Sequence, residues 1–286
     1  MASAQDLMIR TAYIEAKIYV DTELVAVGDG TQFAPFNNFN TAKDYAETNG
    51  IYVIVVHGEA TIPGNFKNFV IEGIGVPLIH TNGKNLHNSK FYQCSISGTY
   101  TGTIIAQDSV LLDGTLLDGF FEKCMLAGNL TCVDASTVLI ANCFSGIAGL
   151  NRPTISMNGI GSSKLSVRHY SGGLTILDCN NVADEITVDV SQGSLTFDVS
   201  CTAGTMVARG LCKFVDETDG ATVIDETTYN LVADIDRLLD YNEGSWKIIA
   251  NQMIYYKRDG SELMRFDLLD SAGQPISRGA MQRVKV

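Results

Sequence analysis

Short apolar segments alternate with polar, glycine-rich separators along most of the chain. The run from Ile51 to Val56 is apolar at successive positions and predicts a strand buried on both faces. Strand-length segments recur downstream at residues 91–98, 121–128, 140–146, 164–167, 173–179, 185–190, 194–198 and 205–208. Strands this short and frequent predict coils stacked along an axis, each burying its apolar face on its neighbours. Their irregular spacing leaves a β-sandwich open as an alternative.

A short helix is predicted immediately before the first of these strands, near residues 40–49. Helical spacing places three residues on one apolar face: Ala42, Tyr45 and Ala46. Asn40 or Thr41 can cap the N-terminus, and Gly50 can end the helix because glycine tolerates positive φ. A helix in this position would cover the open first coil of a stack of strands.

A local pattern repeats around three cysteines. Cys94, Cys124 and Cys143 each lie in a short strand-like segment that ends in glycine. The repetition predicts that these small side chains occupy equivalent positions in a narrow core. The chain contains seven cysteines, an odd number, without a CxxC pair or a Cys/His cluster at zinc spacing. Reduced core thiols are therefore predicted, rather than a disulfide framework or a metal site.

The composition of the chain changes after residue 225. Residues 226–243 have the apolar spacing of one amphipathic helix, and residues 244–286 predict an antiparallel β module with a hairpin at Asp259-Gly260. Because an isolated helix of this length is marginal in water, its apolar face must pack on other copies, giving a trimer, or on its own chain. The residues expected at an oligomer interface are Leu231, Ile235, Leu238 and Trp246.

The predicted fold is mainly β. It is a right-handed parallel β-helix over residues 19–225, with an N-terminal helix cap and a C-terminal helix plus a small antiparallel β module. Residues 1–18 are expected to form an N-terminal arm or helix. A length of 286 residues with 45% apolar residues and 27 glycines fits turn-dense β structure.

Charge and hydropathy argue against two classes of partner. The net charge is −12 and no segment concentrates Lys or Arg together with aromatic residues, so nucleic-acid binding is not expected. No segment approaches the ~18 consecutive apolar residues of a membrane span, and the N-terminus lacks the pattern of a secretory signal. We therefore expect a protein made in a cytoplasm, without membrane insertion.

Several short motifs follow one another along the chain: Tyr19-Val20-Asp21, Gly28-Asp29-Gly30-Thr31, Pro35-Phe36, the capped helix and the tail from Tyr255 to Pro275. Their order resembles structural proteins of tailed bacteriophages that have a pectin-lyase-like parallel β-helix. The resemblance implies a homotrimeric virion component, of the fibre, spike or decoration type, made in the host bacterial cytoplasm. Its implied partners are other copies of the chain, virion proteins of the tail, neck or capsid, and a host surface glycan or receptor.

An enzyme is the alternative, because polysaccharide-cleaving tailspikes share the parallel β-helix. Glycoside hydrolysis requires two carboxylates, and Asp178, Asp189 and Asp198 are candidates if they meet on successive coils. The sequence contains neither the adjacent Asp-Asp pair on a strand nor the following basic residue that hydrolases of this fold usually show. Aspartates at strand ends also commonly serve turns. No catalytic residue is predicted, and we expect no enzymatic activity.

Metal, cofactor and sugar sites receive little support. The histidines, at His57, His80, His87 and His169, are dispersed along the sequence. Without a nearby cysteine or carboxylate pair at ligand spacing, they predict no metal site. No glycine-rich loop joins a strand to a helix as in nucleotide-binding folds, so no cofactor is expected. Tyrosines can pack on pyranose rings; the candidates for such a surface are Tyr92, Tyr100, Tyr170, Tyr255 and Tyr256.

Overall fold

The computed structural model describes residues 16–133, 135–145, 152–158, 161–228, 245–249, 252–257, 260–267 and 282–283. The chain divides into two compact units, Met1–Thr227 and Thr228–Val286. The fold is mainly β, with 55% strand and 5% helix. Within the described part of the chain, no helix has the length and apolarity needed to cross a membrane.

The first unit is a parallel β-solenoid of about 9 turns, which confirms the predicted stack of coils rather than a β-sandwich. Its elements are β1 (Ile18–Asp21), α1 (Phe39–Asn49), β2 (Val53–His57), β3 (Ala60–Thr61), β4 (Val70–Ile74), β5 (Leu78–His80), β6 (Lys84–Asn85), β7 (Ser89–Tyr92), β8 (Ser95–Gly98), β9 (Tyr100–Thr101), β10 (Ile104–Gln107), β11 (Val110–Leu116), β12 (Gly119–Glu122), β13 (Met125–Leu126), β14 (Asn129–Cys132), β15 (Thr137–Ala141), β16 (Phe144–Ser145), β17 (Thr154–Ser156), β18 (Lys164–Leu177), β19 (Glu185–Phe197), β20 (Thr205–Asp216) and β21 (Thr222–Thr227).

The strands lie on three faces of the solenoid. The first face consists of β1, β2, β4, β7, β10, β12, β15, the first parts of β18, β19 and β20, and β21. The second face includes β3, β5, β8, the start of β11, β13 and β16. The third face includes the end of β11, then β14, β17 and the last parts of β18, β19 and β20.

Inward side chains of the first face form a continuous buried ladder along the axis. Its members, in register from turn to turn, are Ile18, Ile54, Ile71, Phe91, Ala106, Phe121, Ile140, Val167, Val188 and Ala208. Ala106 lies between Phe91 and Phe121, so a small side chain separates two large ones. Each turn therefore buries its apolar side chains on the turns before and after it.

Left-handed residues turn the chain at the corner between the first and second faces. They have φ between 50° and 55° and are Gln93, Asp108, Lys123, Asn142 and His169. The residues that follow them are buried: Cys94, Ser109, Cys124, Cys143 and Tyr170. The repeated cysteine pattern thus marks equivalent inward positions, as predicted. All seven cysteines are buried and none forms a disulfide, which agrees with the predicted core thiols.

Two stacked glycines let the strands bend where they continue from the second face to the third. Gly172 in β18 and Gly193 in β19 are register partners with φ of 121° and 131°. A Cβ atom on Gly193 would collide with the carbonyl oxygen of Gly172. Only glycine can occupy the second position without moving the backbone.

Helix α1 forms close to the predicted position, but its N-cap differs from the prediction. The Oδ1 atom of Asn38 accepts hydrogen bonds from the backbone N–H groups of Asn40 (2.8 Å) and Thr41 (3.3 Å). Neither predicted cap was correct, because Asn38 has the extended backbone of a cap and the helix already begins at Phe39. As predicted, Gly50 ends the helix in the left-handed conformation.

The buried face of α1 also differs in one residue from the predicted face. Phe39, Ala42 and Ala46 are buried, whereas Tyr45 is 43% exposed. The ring of Phe39 lies 5.6 Å from that of Phe66, an inward residue of the solenoid. The helix therefore packs on the solenoid core through an aromatic side chain at its first position.

The second unit contains an antiparallel sheet, as predicted. Its described strands are β22 (Ser245–Ile249), β23 (Gln252–Tyr256), β24 (Glu262–Asp267) and β25 (Gln282–Arg283), in the order β24-β23-β22-β25. A hairpin joins β23 to β24, where the N–H of Gly260 donates to the carbonyl of Lys257 at 3.0 Å. The solenoid's last strand ends at Thr227, and most of the predicted helix 226–243 lies outside the described residues.

Candidate functional site

The first face of the solenoid carries a largely apolar row that points outward. From turn to turn, the row consists of Val53, Val70, Lys90, Ile105, Phe120, Leu139, Ser166, Thr187, Val207 and Ile224. Most of these side chains are partly exposed, and Ile224 is 43% exposed. We call these ten residues the outward row. Such a row on a flat sheet face is an available packing surface.

Charged side chains flank the outward row two positions further along the strands. Asp189, Arg209 and Glu226 are register partners on successive turns. The Nε atom of Arg209 donates to Glu226 at 2.6 Å, and His169 Nδ1 lies 3.4 Å from Asp189 Oδ2. An open groove of about 350 Å³ lies here, lined by Ser166, Val167, Arg168, His169, Thr187, Asp189 and Arg209. The charges thus largely form pairs along the axis within one chain.

The structure does not bring the three candidate catalytic aspartates together on one face. Asp178 and Asp198 each follow a third-face strand, on successive turns, whereas Asp189 lies within the first-face part of β19. Asp178 accepts a hydrogen bond from the Ser156 hydroxyl (2.7 Å), and Asp198 accepts one from the Ser200 N–H (2.9 Å). These two carboxylates therefore serve turns and neighbouring coils, which is common for aspartate after a strand.

Three of the four histidines lie beside carboxylates, which their spacing in the sequence did not indicate. His80 Nε2 lies 2.9 Å from Glu59, His169 contacts Asp189, and His57 Nδ1 lies 3.1 Å from Asp21 Oδ1. The partners are distant in sequence because parallel coils juxtapose residues one turn apart. Register pairing across the coils, once known, is the signal that reveals them.

The His57 pair has a third member. Asp21, Glu23 and His57 each offer a ligand atom, and these atoms lie within 4.8 Å of one another. Asp21 and His57 are register partners at the ends of β1 and β2. The Asp21 carboxylate raises the pKa of His57 above its usual value, and the charge of Glu23 acts in the same direction. Within the described residues, this is a cluster in which a histidine meets two carboxylates.

Two tyrosines predicted as a sugar-binding surface are unavailable for that role. Tyr100 and Tyr170 are buried, with 4% and 0% exposure, because both point into the solenoid core. Tyr92 is partly exposed on the first face, and Tyr255 and Tyr256 are partly exposed in the second unit. Because Tyr100 and Tyr170 are buried, the five residues cannot together form an exposed sugar-binding surface.

The residues predicted at an oligomer interface fall mostly outside the described part of the chain. Leu231, Ile235 and Leu238 lie there, so their interface role stays a prediction. Trp246 lies on β22, where it pairs with Tyr255 and Arg283 through the backbone. The outward row is an additional candidate interface that sequence reasoning missed. No protein-family model, curated protein or solved structure matches this chain.

Proposed function

We propose that this chain is a non-enzymatic structural component of a bacteriophage particle, of the fibre, spike or decoration type, that assembles as a homotrimer. The observation that carries the proposal is the outward row on the first face of the solenoid. Seven of its ten residues are apolar, and the row extends from β2 to β21, so it offers lateral packing at several points along the stack. The proposed location is the virion, after synthesis in the host bacterial cytoplasm.

A second copy of the chain has an outward row of the same length, so it could cover this surface from end to end. Ten strands spaced by ~4.8 Å make the outward row roughly 43 Å long. A sheet face of that length, with a width of ~15 Å for two side-chain rows, offers an area that approaches the ~800 Å² per partner of a standard interface. Another copy presents an apolar row of the same length and strand spacing, which makes self-association the simplest way to cover it.

The flanking charges are compatible with lateral association. Arg209 is paired with Glu226, and His169 lies near Asp189, within one chain. Closing an interface beside these pairs leaves their charges partnered within one chain. Lys90, in the outward row itself, would have to keep its ammonium at the edge of the interface, because burying an isolated charge is costly. The net charge of −12 opposes close approach of copies at long range and favours solubility of the separate chain.

The absence of enzymatic activity is part of the proposal and rests on the arrangement of the candidate carboxylates. Asp189 lies on a different face from Asp178 and Asp198, so it cannot pair with either across one scissile bond. Asp178 and Asp198 lie on successive turns, where they accept hydrogen bonds from the Ser156 hydroxyl and the Ser200 N–H, which supports a structural role for both carboxylates. A polysaccharide depolymerase is the alternative. The two proposals differ in what they predict for purified protein incubated with polysaccharide from the host surface.

Particle association and polysaccharide cleavage test the proposal together. An antibody raised against the purified chain should label phage particles that carry the gene after density-gradient purification. Particles lacking the gene, mixed with the free protein before purification, control for carry-over and should remain unlabelled. Purified protein should release no new reducing ends from host-surface polysaccharide. Labelling restricted to the soluble fraction would overturn the virion assignment, and released oligosaccharide would establish the depolymerase alternative.

A further inference from the structure

We propose that Asp21, Glu23 and His57 form a binding site for one divalent transition-metal cation of the zinc class at the first turn of the solenoid. The site is independent of the proposed virion role. It would link the end of β1, through Asp21 and the following turn, to the end of β2 at His57.

The spacing of the ligand atoms matches a single cation. Zinc binds histidine nitrogen and carboxylate oxygen at ~2.0–2.2 Å, which places neighbouring ligand atoms about 3 to 3.5 Å apart. The Nδ1 atom of His57 and Oδ1 of Asp21 already lie 3.1 Å apart. The ligand atoms of all three residues lie within 4.8 Å of one another, so a rotation of the exposed Glu23 side chain completes the set.

The state of the His57 ring is an independent indication of a ligand. Its Nδ1 atom is buried although 41% of the side chain is exposed, and it has no aligned hydrogen-bond partner among the described residues. The 3.1 Å contact with Asp21 brings opposite charges together when the ring is protonated, but it is not aligned as a hydrogen bond. A buried nitrogen without a partner is unfavourable, and a cation bound to its lone pair would satisfy it.

The backbone around the cluster holds the ligands in place. The N–H of Glu23 donates to Asp21 Oδ1 (3.0 Å), which fixes the turn that carries both carboxylates. The N–H and the hydroxyl of Thr22 both lie 3.2 Å from the carbonyl oxygen of His57 and donate to it. Gly58 leaves room for this turn, because a Cβ atom there would collide with the Thr22 hydroxyl.

The ligand types favour a borderline cation over a hard one. One imidazole nitrogen and two carboxylate oxygens suit Zn²⁺, Co²⁺ or Mn²⁺, whereas Ca²⁺ takes six to eight oxygen ligands. Two carboxylates also neutralise the charge of a divalent cation. Three protein ligands leave a coordination position for water.

Two other histidine pairs provide matched controls within the same molecule. His80 with Glu59 and His169 with Asp189 each combine one imidazole with one carboxylate. Among the described residues, neither pair belongs to a group of three ligand atoms with this close spacing. A cation that binds surface His–carboxylate pairs in general would respond to loss of His80 as much as to loss of His57.

Calorimetric titration of the chelator-treated full chain with ZnCl₂ tests the site. We expect one ion per chain, and affinity at least tenfold lower in His57→Ala and Asp21→Asn, while His80→Ala binds as the unmodified chain does. Asparagine keeps the oxygen that accepts from Glu23 N–H, so the turn is retained. Circular dichroism checks the fold of each variant, and Glu23→Gln, at an exposed position, should also weaken binding.

Cobalt gives a spectroscopic test of the same claim. Co²⁺ bound by the proposed ligands should show d–d absorption bands that change in Glu23→Gln and vanish in His57→Ala. Binding that is equal in the unmodified chain and all variants would overturn the proposal. The proposal would also be overturned if His57→Ala and His80→Ala lost the same affinity for the metal, or if the folded, unmodified chain bound no metal.

Discussion

Phe120 and Phe121 are adjacent in the sequence and lie on opposite sides of one strand of the solenoid. Phe121 is fully buried between Ala106 and Ile140 of the neighbouring turns, whereas Phe120 belongs to the outward row between Ile105 and Leu139. One side chain therefore supports the fold and the other is available for assembly. This division of roles allows stability and association to be separated by substitution.

Phe121→Ala is expected to destabilise the solenoid strongly, and Phe120→Ala is its matched control. Removing the buried ring leaves a cavity in a close-packed core and should cost about 3 to 5 kcal/mol. Because Phe120 is partly exposed, Phe120→Ala should lower the free energy of unfolding much less. Urea unfolding, followed by circular dichroism at a concentration where both variants are monomeric, measures the difference. Similar losses in the two variants would contradict the assigned sides of the strand.

Substitutions of Lys123 test whether this residue occupies a left-handed corner between the first and second faces. Its φ of 53° is easily adopted by glycine but not by a β-branched residue. Lys123→Ile should therefore be less stable than Lys123→Gly by about 1 to 2 kcal/mol. The same two substitutions at Lys213, within strand β20, should show the opposite order, because isoleucine favours strands. The same order at both positions would show that Lys123 does not occupy a left-handed corner.

The buried thiols should resist alkylation in the folded protein. Burial raises the pKa of Cys94 and of Cys132 to about 12, so little reactive thiolate is present at pH 8. Iodoacetamide should leave both residues unmodified over hours, and should modify all seven cysteines in denaturant. Mass spectrometry of the digested protein locates the modified residues. Rapid labelling of Cys94 or Cys132 without denaturant would place these thiols outside the core.

Self-association should strengthen as the salt concentration rises. Copies with a net charge of −12 repel one another, and salt screens this repulsion while leaving apolar packing intact. The association constant measured by sedimentation should increase several-fold between 50 and 500 mM NaCl. An interface formed mainly by intermolecular ion pairs would respond in the reverse direction, and that result would exclude the outward row as the principal contact.

The sequence predicted the corners of the solenoid better than its outer surface. Cys94, Cys124 and Cys143 recur in similar local patterns because each must fit the same narrow corner, and a shared packing constraint leaves a readable repeat. The apolar strands do not reveal which side chains face the core. A strand with apolar residues on both sides has no hydrophobic periodicity that distinguishes inward-facing from outward-facing side chains. The orientation of Phe120 therefore depended on the register between coils.

The Asp21–Glu23–His57 cluster was not predictable for a related reason. The segment between Glu23 and His57 contains α1, so the first turn is longer than later ones and brings together residues far apart in sequence. Ligand spacings can be recognised in a sequence when one helix or loop carries them. Here the parallel pairing of β1 with β2 aligns Asp21 with His57, and pairing partners of coils with unequal length are not evident from sequence.

The mass of the purified protein in solution, measured by light scattering, tests the proposed assembly most directly. The measured mass of the assembly should be three times the 30.9 kDa mass of one chain. Phe120→Asp and Leu139→Asp, which place charge in the outward row, should shift the mass to that of one chain, whereas Thr175→Asp on the third face should remain trimeric. A monomer at all concentrations, or a trimer unaffected by Phe120→Asp and Leu139→Asp, would contradict lateral assembly through this face.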